Sequence, residues 1–310
     1  MPTTTSGQWL NQFVAPQLLK ELKDYKDVVI AILRGAPTAA ITADGIRWNK
    51  LLNNVEFRVN NTADFTAAKM TGEKLFVEWE KYDTTPTEVD DAEIRYLAYD
   101  KRAEVRVRHM ERMKEGLVKH ALHRLCPDDA ASDRMPVMKT TGDVTSGRKR
   151  ATFRDLAEFL AKVKAIGDLD PAQLYMALCP EHVTDFILDR DAAAYFASKE
   201  VFFDPKSGNL RSFMGFKFIE PMVANAFDSS MNKKAKGAAM STGDRYASTL
   251  IYAPNTVYHI EGVKVLYSPE IQDTKSANPK SVFRLQAYGL IDRIEDYGMG
   301  ALVSDNEDEN

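Results

Sequence analysis

Cysteine is scarce in this sequence: the chain of 310 residues holds two, Cys126 and Cys179. Two cysteines make no disulfide scaffold at this length, and they read as small buried hydrophobes in a reducing compartment. Long apolar runs are missing as well. No stretch approaches the roughly 18 residues that cross a bilayer. The N-terminus, MPTTTSGQW, has neither a basic segment nor an apolar one behind it, so no secretory signal and no membrane anchor are expected. Nothing repeats at a fixed period, which argues against a solenoid. Neither sign of charge dominates: 41 Lys and Arg face 45 Asp and Glu, a formal net charge of −4, and the protein as a whole does not read as a nucleic-acid binder. With 44% hydrophobic and 28% charged residues, the chain has enough apolar material for a sizeable core and length for up to two domains.

Catalytic signatures are missing too. The sequence contains no CxxC, HExxH, GxSxG or GxxxxGK[ST], and no strand-linked GxGxxG. His120, His123 and Cys126 are spaced three apart on a helical stretch, a spacing that could begin a metal site, but the three do not converge and a structural zinc wants a fourth ligand. They read as ordinary helix positions. His182 follows Cys179 closely in CPEH, yet neighbours in sequence are not the spatial pair a cysteine hydrolase needs. The acid pairs Asp90-Asp91 and Asp128-Asp129 fall in turn-rich stretches, where Asp is favoured for local backbone hydrogen bonds. Gly298-Met299-Gly300 reads as a backbone bend, and GRKR at 147–150 as a basic loop. No catalytic residue, metal or cofactor is expected.

What the chain does have is a clear order of elements. Pro16 opens a helix on which Leu18, Leu22, Tyr25 and Val29 share a face, with Lys20, Lys23, Asp24 and Lys26 opposite and Gly35-Ala36-Pro37 as the stop; the first fifty residues read as helical. KLFVEWEKY (74–82) alternates, with Val77 and Trp79 on one face and Glu78 and Glu80 on the other. EIRYLAY (93–99) alternates too, and DTTPTEVDD between them reads as a wide polar turn, giving a β-hairpin. Residues 101–125 carry Met110, Met113, Leu117, Ala121 and Leu125 along one stripe, a long helix ended by Pro127. A polar loop at 127–150 is long enough to be mobile. A helix then starts at Thr152, with Gly167 as its cap. From about 171 the pattern is mixed α/β: AQLYMALCP a strand, EHVTDFILDRDAAAYF one or two helices, a turn at Gly208, a strand at Phe216–Ile219, and two or three strands in STLIYAPNTVYHIEGVKVLYSPE. SVFRLQAYGLIDRIEDYGMGALV reads as a strong strand, a glycine-marked break and a short strand. SDNEDEN makes an acidic, solvated tail.

Charge is uneven along this order. Between Lys101 and Arg124 stand eight Lys or Arg and three Glu. The hairpin carries Glu78, Glu80, Glu88, Asp90, Asp91 and Glu93. Phosphate contact would explain the first cluster, but ion pairing between subunits explains both at once and would set register and partner choice. The candidate interface residues are therefore Glu78, Trp79, Glu80, Tyr82 and Tyr96 on the hairpin, and Arg102, Arg106, Arg108 and Arg112 on the helix.

As an ordered set, these elements resemble the major capsid protein of tailed bacteriophages, the Hong Kong 97-type capsid fold, over roughly residues 50–303. FRDLAEFLAKVKAIGD followed by AQLYMALCPEHVTDFI, SGNLRSFMGFKFIEP, and VFRLQAYGLIDRIEDYGMGALV each look like stretches of that family. The resemblance implies an α+β chain divided into an N-terminal arm (1–50), an extended hairpin loop (51–100), a peripheral domain with a long spine helix (101–170 and 283–303), an axial domain (171–282) and the acidic tail (304–310). It implies a structural protein, not an enzyme, that self-assembles into hexamers and pentamers of an icosahedral shell enclosing double-stranded DNA. A scaffold protein, a portal and the packaged DNA, met by non-specific contact, would be partners. Its place would be the virion capsid, assembled in the host cytoplasm. Some members carry a longer cleaved segment before the hairpin, so a separate scaffold or an already mature chain is expected; no motif marks Lys69, Lys74 or Lys81 for a cross-link. The alternatives to this reading are an encapsulin-type compartment shell, and a small α/β hydrolase or transferase, which would need a pocket of convergent polar residues.

Overall fold

The computed structural model describes residues 15–25, 27–51, 59–60, 62, 72–90, 101–167, 169–189, 211–213, 215–269 and 280–306. Two sheets organise these residues, and one long helix joins them. The helix, α2 (Lys101–Leu125), follows α1 (Ala15–Asp24) and four strands, β1 (Gly45–Leu51), β2 (Gly72–Glu78), β3 (Glu80–Asp83) and β4 (Thr87–Asp90). After it come β5 (Val137–Lys139), the small hairpin β6 (Val144–Thr145) and β7 (Arg148–Lys149), and α3 (Phe153–Ala165). The rest is β8 (Leu174–Ala177), α4 (Pro180–Leu188), β9 (Ser212–Phe213), β10 (Phe216–Ile219), β11 (Asn225–Phe227), β12 (Arg245–Tyr252), β13 (Thr256–Pro269), β14 (Lys280–Arg293) and β15 (Gly300–Val303).

The first sheet is antiparallel and centred on β14, which has β13 on one side and β3 and β4 end to end on the other. Its inner face carries Phe283, Leu285, Ala287 and Ile291, and these meet the predicted stripe of α2, since Met110, Met113, Leu117, Ala121 and Leu125 are all buried in the same cluster. Burying each of the Met, Leu, Ile and Phe side chains contributes about 1.5–3 kcal/mol, which fixes α2 to the sheet despite its many charges. Leu18 and Leu22 of α1 join that cluster. Gly289 sits where β14 passes closest to β13, beside an irregularity at Ile260/Gly262; a Cβ there would lie 2.5 Å from the His259 carbonyl oxygen.

The second sheet runs β5-β15-β12-β8-β10-β9, with β11 also on β12. β10 is parallel to β8 and β15 to β5. Helix α3 lies over it, burying Phe153, Leu156, Phe159, Leu160 and Val163 against Met176, Phe216, Leu250 and Leu302. The start of α3 is specified locally: Thr152 and Asp155 form a reciprocal capping box, and the Asp155 carboxylate also accepts from the Thr141 amide and hydroxyl. Gly167 (φ +72°) and Gly298 (φ +74°) both adopt the left-handed backbone that glycine allows, the second within the break between β14 and β15.

Several expectations are corrected. The N-terminal fifty residues are not helical throughout: α1 ends at Asp24, and the chain continues through short 3-10 turns at Ile30–Ile32 and Thr38–Ala40 before β1. The apolar stripe persists past the helix because Val29 and Ile30 still pack on the first core, while Gly35 bridges Tyr258 of β13. The stretch DTTPTEVDD is not a turn. Thr87–Asp90 continues along β14 after β3, so residues 80–90 form one interrupted edge strand, and the N-terminal part of KLFVEWEKY pairs instead with β1. Residues 93–99 and Gly208 lie outside the described residues. The polar loop at 127–150 is ordered, because β5 pairs with β15 and the Arg148 guanidinium makes a two-pronged contact with Asp185 of α4 at 2.6 and 2.9 Å. β13 pairs with β14 in the first sheet, whereas α3 packs on the second, which includes β15. The acidic tail begins anchored, as Asp305 pairs with Lys139 at 2.8 Å and Asn306 donates to the Gly243 carbonyl at 3.1 Å.

Candidate interface between the long helix and the edge strand

The edge strand β3 alternates across its two faces. Glu80 and Tyr82 turn toward α2, while Lys81 and Asp83 point outward and pair with each other at 3.1 Å. Between strand and helix runs a groove of about 820 Å³ whose walls include Glu80, Thr84, Arg108, Arg112 and Lys236. At one end Glu80 Oε2 lies 2.6 Å from His120 Nε2 and accepts from the Tyr82 hydroxyl at 2.7 Å. Burial works to raise the Glu80 carboxyl, but the hydrogen bonds from His120 and Tyr82 hold it below its ordinary value. Burial and the adjacent Glu80 charge push the Tyr82 phenol far up. At the other end the buried His109 ring sits between two hydroxyls, with Thr84 2.6 Å from Nδ1 and Thr87 2.9 Å from Nε2. Burial lowers its pKa.

The candidate interface residues therefore separate. Glu80 and Tyr82 face α2 of their own chain, so at Glu80 the expected pairing of acidic strand and basic helix takes place within one molecule; β3 lies beside β14, which itself packs on α2. Trp79 is half-buried, donates from Nε1 to the Ala43 carbonyl at 3.1 Å and stacks near His259. Arg106 is half-buried and Glu78 is exposed. Arg108 and Arg112 are exposed and pair along the helix with Glu104 at 2.5 Å and Glu115 at 2.6 Å. Tyr96 and the Arg102 side chain lie outside the described residues.

The ribbon β1–β2 has two unlike faces. Ile46, Trp48 and Val77 pack with Trp79 on Val257 and Leu290 of the first sheet. On the other face Arg47 lies over the exposed Phe76 ring, 5.1 Å from its centre, at directly opposed positions of the two strands. A two-stranded ribbon is marginal alone in water, and here one face is held by the body while the other is open.

The residues weighed for chemistry go elsewhere. His123 Nε2 lies 3.1 Å from the Lys234 carbonyl oxygen, His120 is taken by Glu80, and Cys126 is fully buried. Among the described residues no cluster of potential metal ligands forms. His182 is enclosed between two hydroxyls, Ser248 at 2.7 Å from Nδ1 and Ser304 at 3.0 Å from Nε2. Burial pushes the Cys179 thiol up to about 12 and His182 down to about 4, the reverse of an activated thiolate–imidazolium pair. Of the acid pair at 128–129, Asp129 does cap a local turn by accepting from the Ala131 amide, but Asp128 reaches Lys233 at 2.6 Å. Lys233 was not singled out in the sequence; in MNKKAKG nothing distinguishes it from its neighbours.

No protein-family profile matches the chain, and no curated protein matches it in sequence. Solved structures do match. The chain is similar to one titled "Capsid structure of the Cyanophage P-SCSP1u", with a TM-score of 0.58 and 12% identity over 89% of this chain and 87% of that one. It is similar to the acid-stable capsid structure of Helicobacter pylori bacteriophage KHP30, with a TM-score of 0.58 and 13% identity over 88% of this chain and 87% of that one. It is also similar to the capsid of Ralstonia phage GP4, with a TM-score of 0.57 and 9% identity over 90% and 88% of the two chains. Identities this low make the likeness one of fold, and the fold is the α+β phage capsid fold that the order of elements implied.

Proposed function

We propose that the chain is a structural major capsid protein, which self-assembles into hexamers and pentamers of an icosahedral shell around double-stranded DNA. The observation that carries this reading is the likeness in fold to phage capsid chains over about nine-tenths of its length. In that role the first sheet with α2 is the peripheral unit and α2 its spine, the second sheet with α3 and α4 is the axial unit, and the β1–β2 ribbon is the root of the extended loop. The open ribbon face with Arg47 and Phe76, and the exposed Glu78, Arg108 and Arg112, meet neighbouring copies. Function then rests on many modest contacts repeated by symmetry and needs no catalytic centre. A scaffold protein and a portal assist assembly in the host cytoplasm, DNA is met by non-specific contact, and the finished protein resides in the virion.

Negative-stain electron microscopy of the purified chain, alone and co-expressed with a scaffold from its genomic neighbourhood, tests this. Closed shells or capsomer rings are expected. A chain that stays monomeric in both preparations overturns the proposal.

A further inference from the structure

The last carbonyls of an α-helix have no amide of their own helix to accept from. At the end of α2 side chains from both sheets fill this need. Lys233 Nζ donates to the His123 oxygen at 2.8 Å and the Cys126 oxygen at 2.9 Å, and Asn225 Nδ2 of β11 adds a second donor, at 2.9 Å, to the Leu122 oxygen, which also accepts from the Cys126 amide at 3.1 Å. From the other side Arg293, the last residue of β14, donates to the Arg124 oxygen at 3.2 Å. Asp128 bridges the two cations, 2.6 Å from Lys233 and 3.3 Å from Arg293.

Lys233 is the centre of this arrangement. Its side chain is only 5% exposed, and its three ammonium protons meet three oxygens, those of Asp128, His123 and Cys126. The Asp128 carboxylate is 67% exposed, so water screens part of the attraction, but the enclosed Lys233 ammonium still depends on it for its counter-charge, and two cations at a helix C-terminus also complement its dipole. The backbone adds a second tie, from the Lys233 amide to the Asp128 carbonyl at 2.7 Å. The surrounding charges are His123, Arg124 paired with Asp292, and Asp296 paired with Arg293.

We propose that the C-terminal end of α2 is an acid-releasable latch between the two sheets. While Asp128 is charged, Lys233 and Arg293 grip one helix end and hold the sheets in one orientation. When that charge is lost, residues 225–234 leave the end of α2 as a unit and the second sheet is free to shift. The direction in pH follows from Asp128. Burial works to raise its carboxyl, but the hydrogen bond and charge of Lys233, then those of Arg293, hold it below its ordinary value. A depressed carboxyl gives stability that is present above the unfolded-state value of about 3.9 and is lost as pH falls through the folded one. His123, kept neutral by burial and by Lys233, acts in the same sense, since its protonation sets a further positive charge beside Lys233.

Amide hydrogen exchange on the full-length chain tests the latch independently of whether the chain forms shells. At neutral pH, Lys233→Met should raise exchange at least tenfold at Leu122–Cys126 and at 225–234 together, leaving Leu285–Ile291 and Leu250–Tyr252 as in the parent. Asp128→Asn, which keeps shape and packing, should give the same pattern more weakly and serves if Lys233→Met does not fold. After correction for intrinsic rates, the parent should open at the same two segments on acidification, and Asp128→Asn should show only the smaller step that His123 contributes. Exchange rising at 225–234 alone, or an acid step in Asp128→Asn as large as the parent's, overturns the proposal.

Discussion

His182 offers a measurable link between burial and acid sensitivity. Its ring has no exposed surface and is held between Ser248 and Ser304, one on each nitrogen. One ring nitrogen donates and the other accepts, and the two hydroxyls can rotate to suit either tautomer. An added proton would put a charge in the core beside the Arg148–Asp185 pair. Burial accordingly lowers the imidazole from its ordinary 6.5 to about 4, Asp185 raising it somewhat and Arg148 lowering it. Between these values the unfolded chain binds a proton that the folded chain refuses, so folding weakens as pH falls. Linkage makes the loss about 2 kcal/mol at pH 5 and about 3 kcal/mol at pH 4, relative to a pH above 7.5. Asp and Glu residues titrate over part of this range, so the assay is a difference. Urea unfolding of the parent and of His182→Gln would be compared at pH 7.5 and pH 5. The variant starts less stable, having lost a fitted ring, but the gap between the two should shrink by about 2 kcal/mol at the lower pH. A gap constant to within about 0.5 kcal/mol would refute the reasoning, as would an imidazole resonance for His182 that titrates near 6.5.

Three further outcomes follow from the packing. Asp155→Ala removes a buried carboxylate that serves both Thr152 and Thr141, and should lower stability by about 2–4 kcal/mol in denaturant unfolding, whereas Glu158→Ala on the exposed face of α3 should stay within about 0.5 kcal/mol. Gly289→Ala forces a Cβ into the His259 carbonyl and should part β13 from β14, seen as lost near-ultraviolet circular dichroism and lower soluble yield. The double replacement Arg108→Ala with Arg112→Ala removes two exposed helix charges and should leave the midpoint of thermal unfolding nearly unchanged while reducing particle yield in micrographs; unchanged particles would remove these residues from the interface.

Helices were easier to read from the sequence than strand partners. The α2 stripe and the Thr152 start of α3 are written in local spacing and capping chemistry, and both stand where expected. Strand pairing is a long-range matter. The alternation in KLFVEWEKY marks extended chain, and strands stand at Gly72–Glu78 and Glu80–Asp83, but alternation does not say which strand lies alongside. Pro86 and its acidic neighbours looked like a turn because turn propensity is local, whereas β14, about two hundred residues further on, keeps Thr87–Asp90 extended. The same limit applied to the interface candidates. Glu80 reads in the sequence as a residue that pairs between subunits, but only the sheet shows that its carboxylate meets His120 of the same molecule. Lys233 was invisible because a lysine that caps a helix end in space has no distinctive neighbours in sequence.

The placement of β14 also bears on how the chain is made. Its partners β3 and β4 leave the ribosome early, yet neither can pair with β14 until residues 280–293 have emerged, and in the second sheet β5 likewise waits for β15. Nascent chains have only local structure available for most of synthesis, chiefly α2 and α3, while the acidic edge strand stays unpaired. Contacts so distant in sequence are slow to close, and an open edge invites pairing with other chains. Chains arrested before residue 280 should therefore remain sensitive to protease along 80–90 and bind a holdase chaperone, whereas chains extended past 303 should lose both properties. The interval between those two lengths is when wrong partners are nearest.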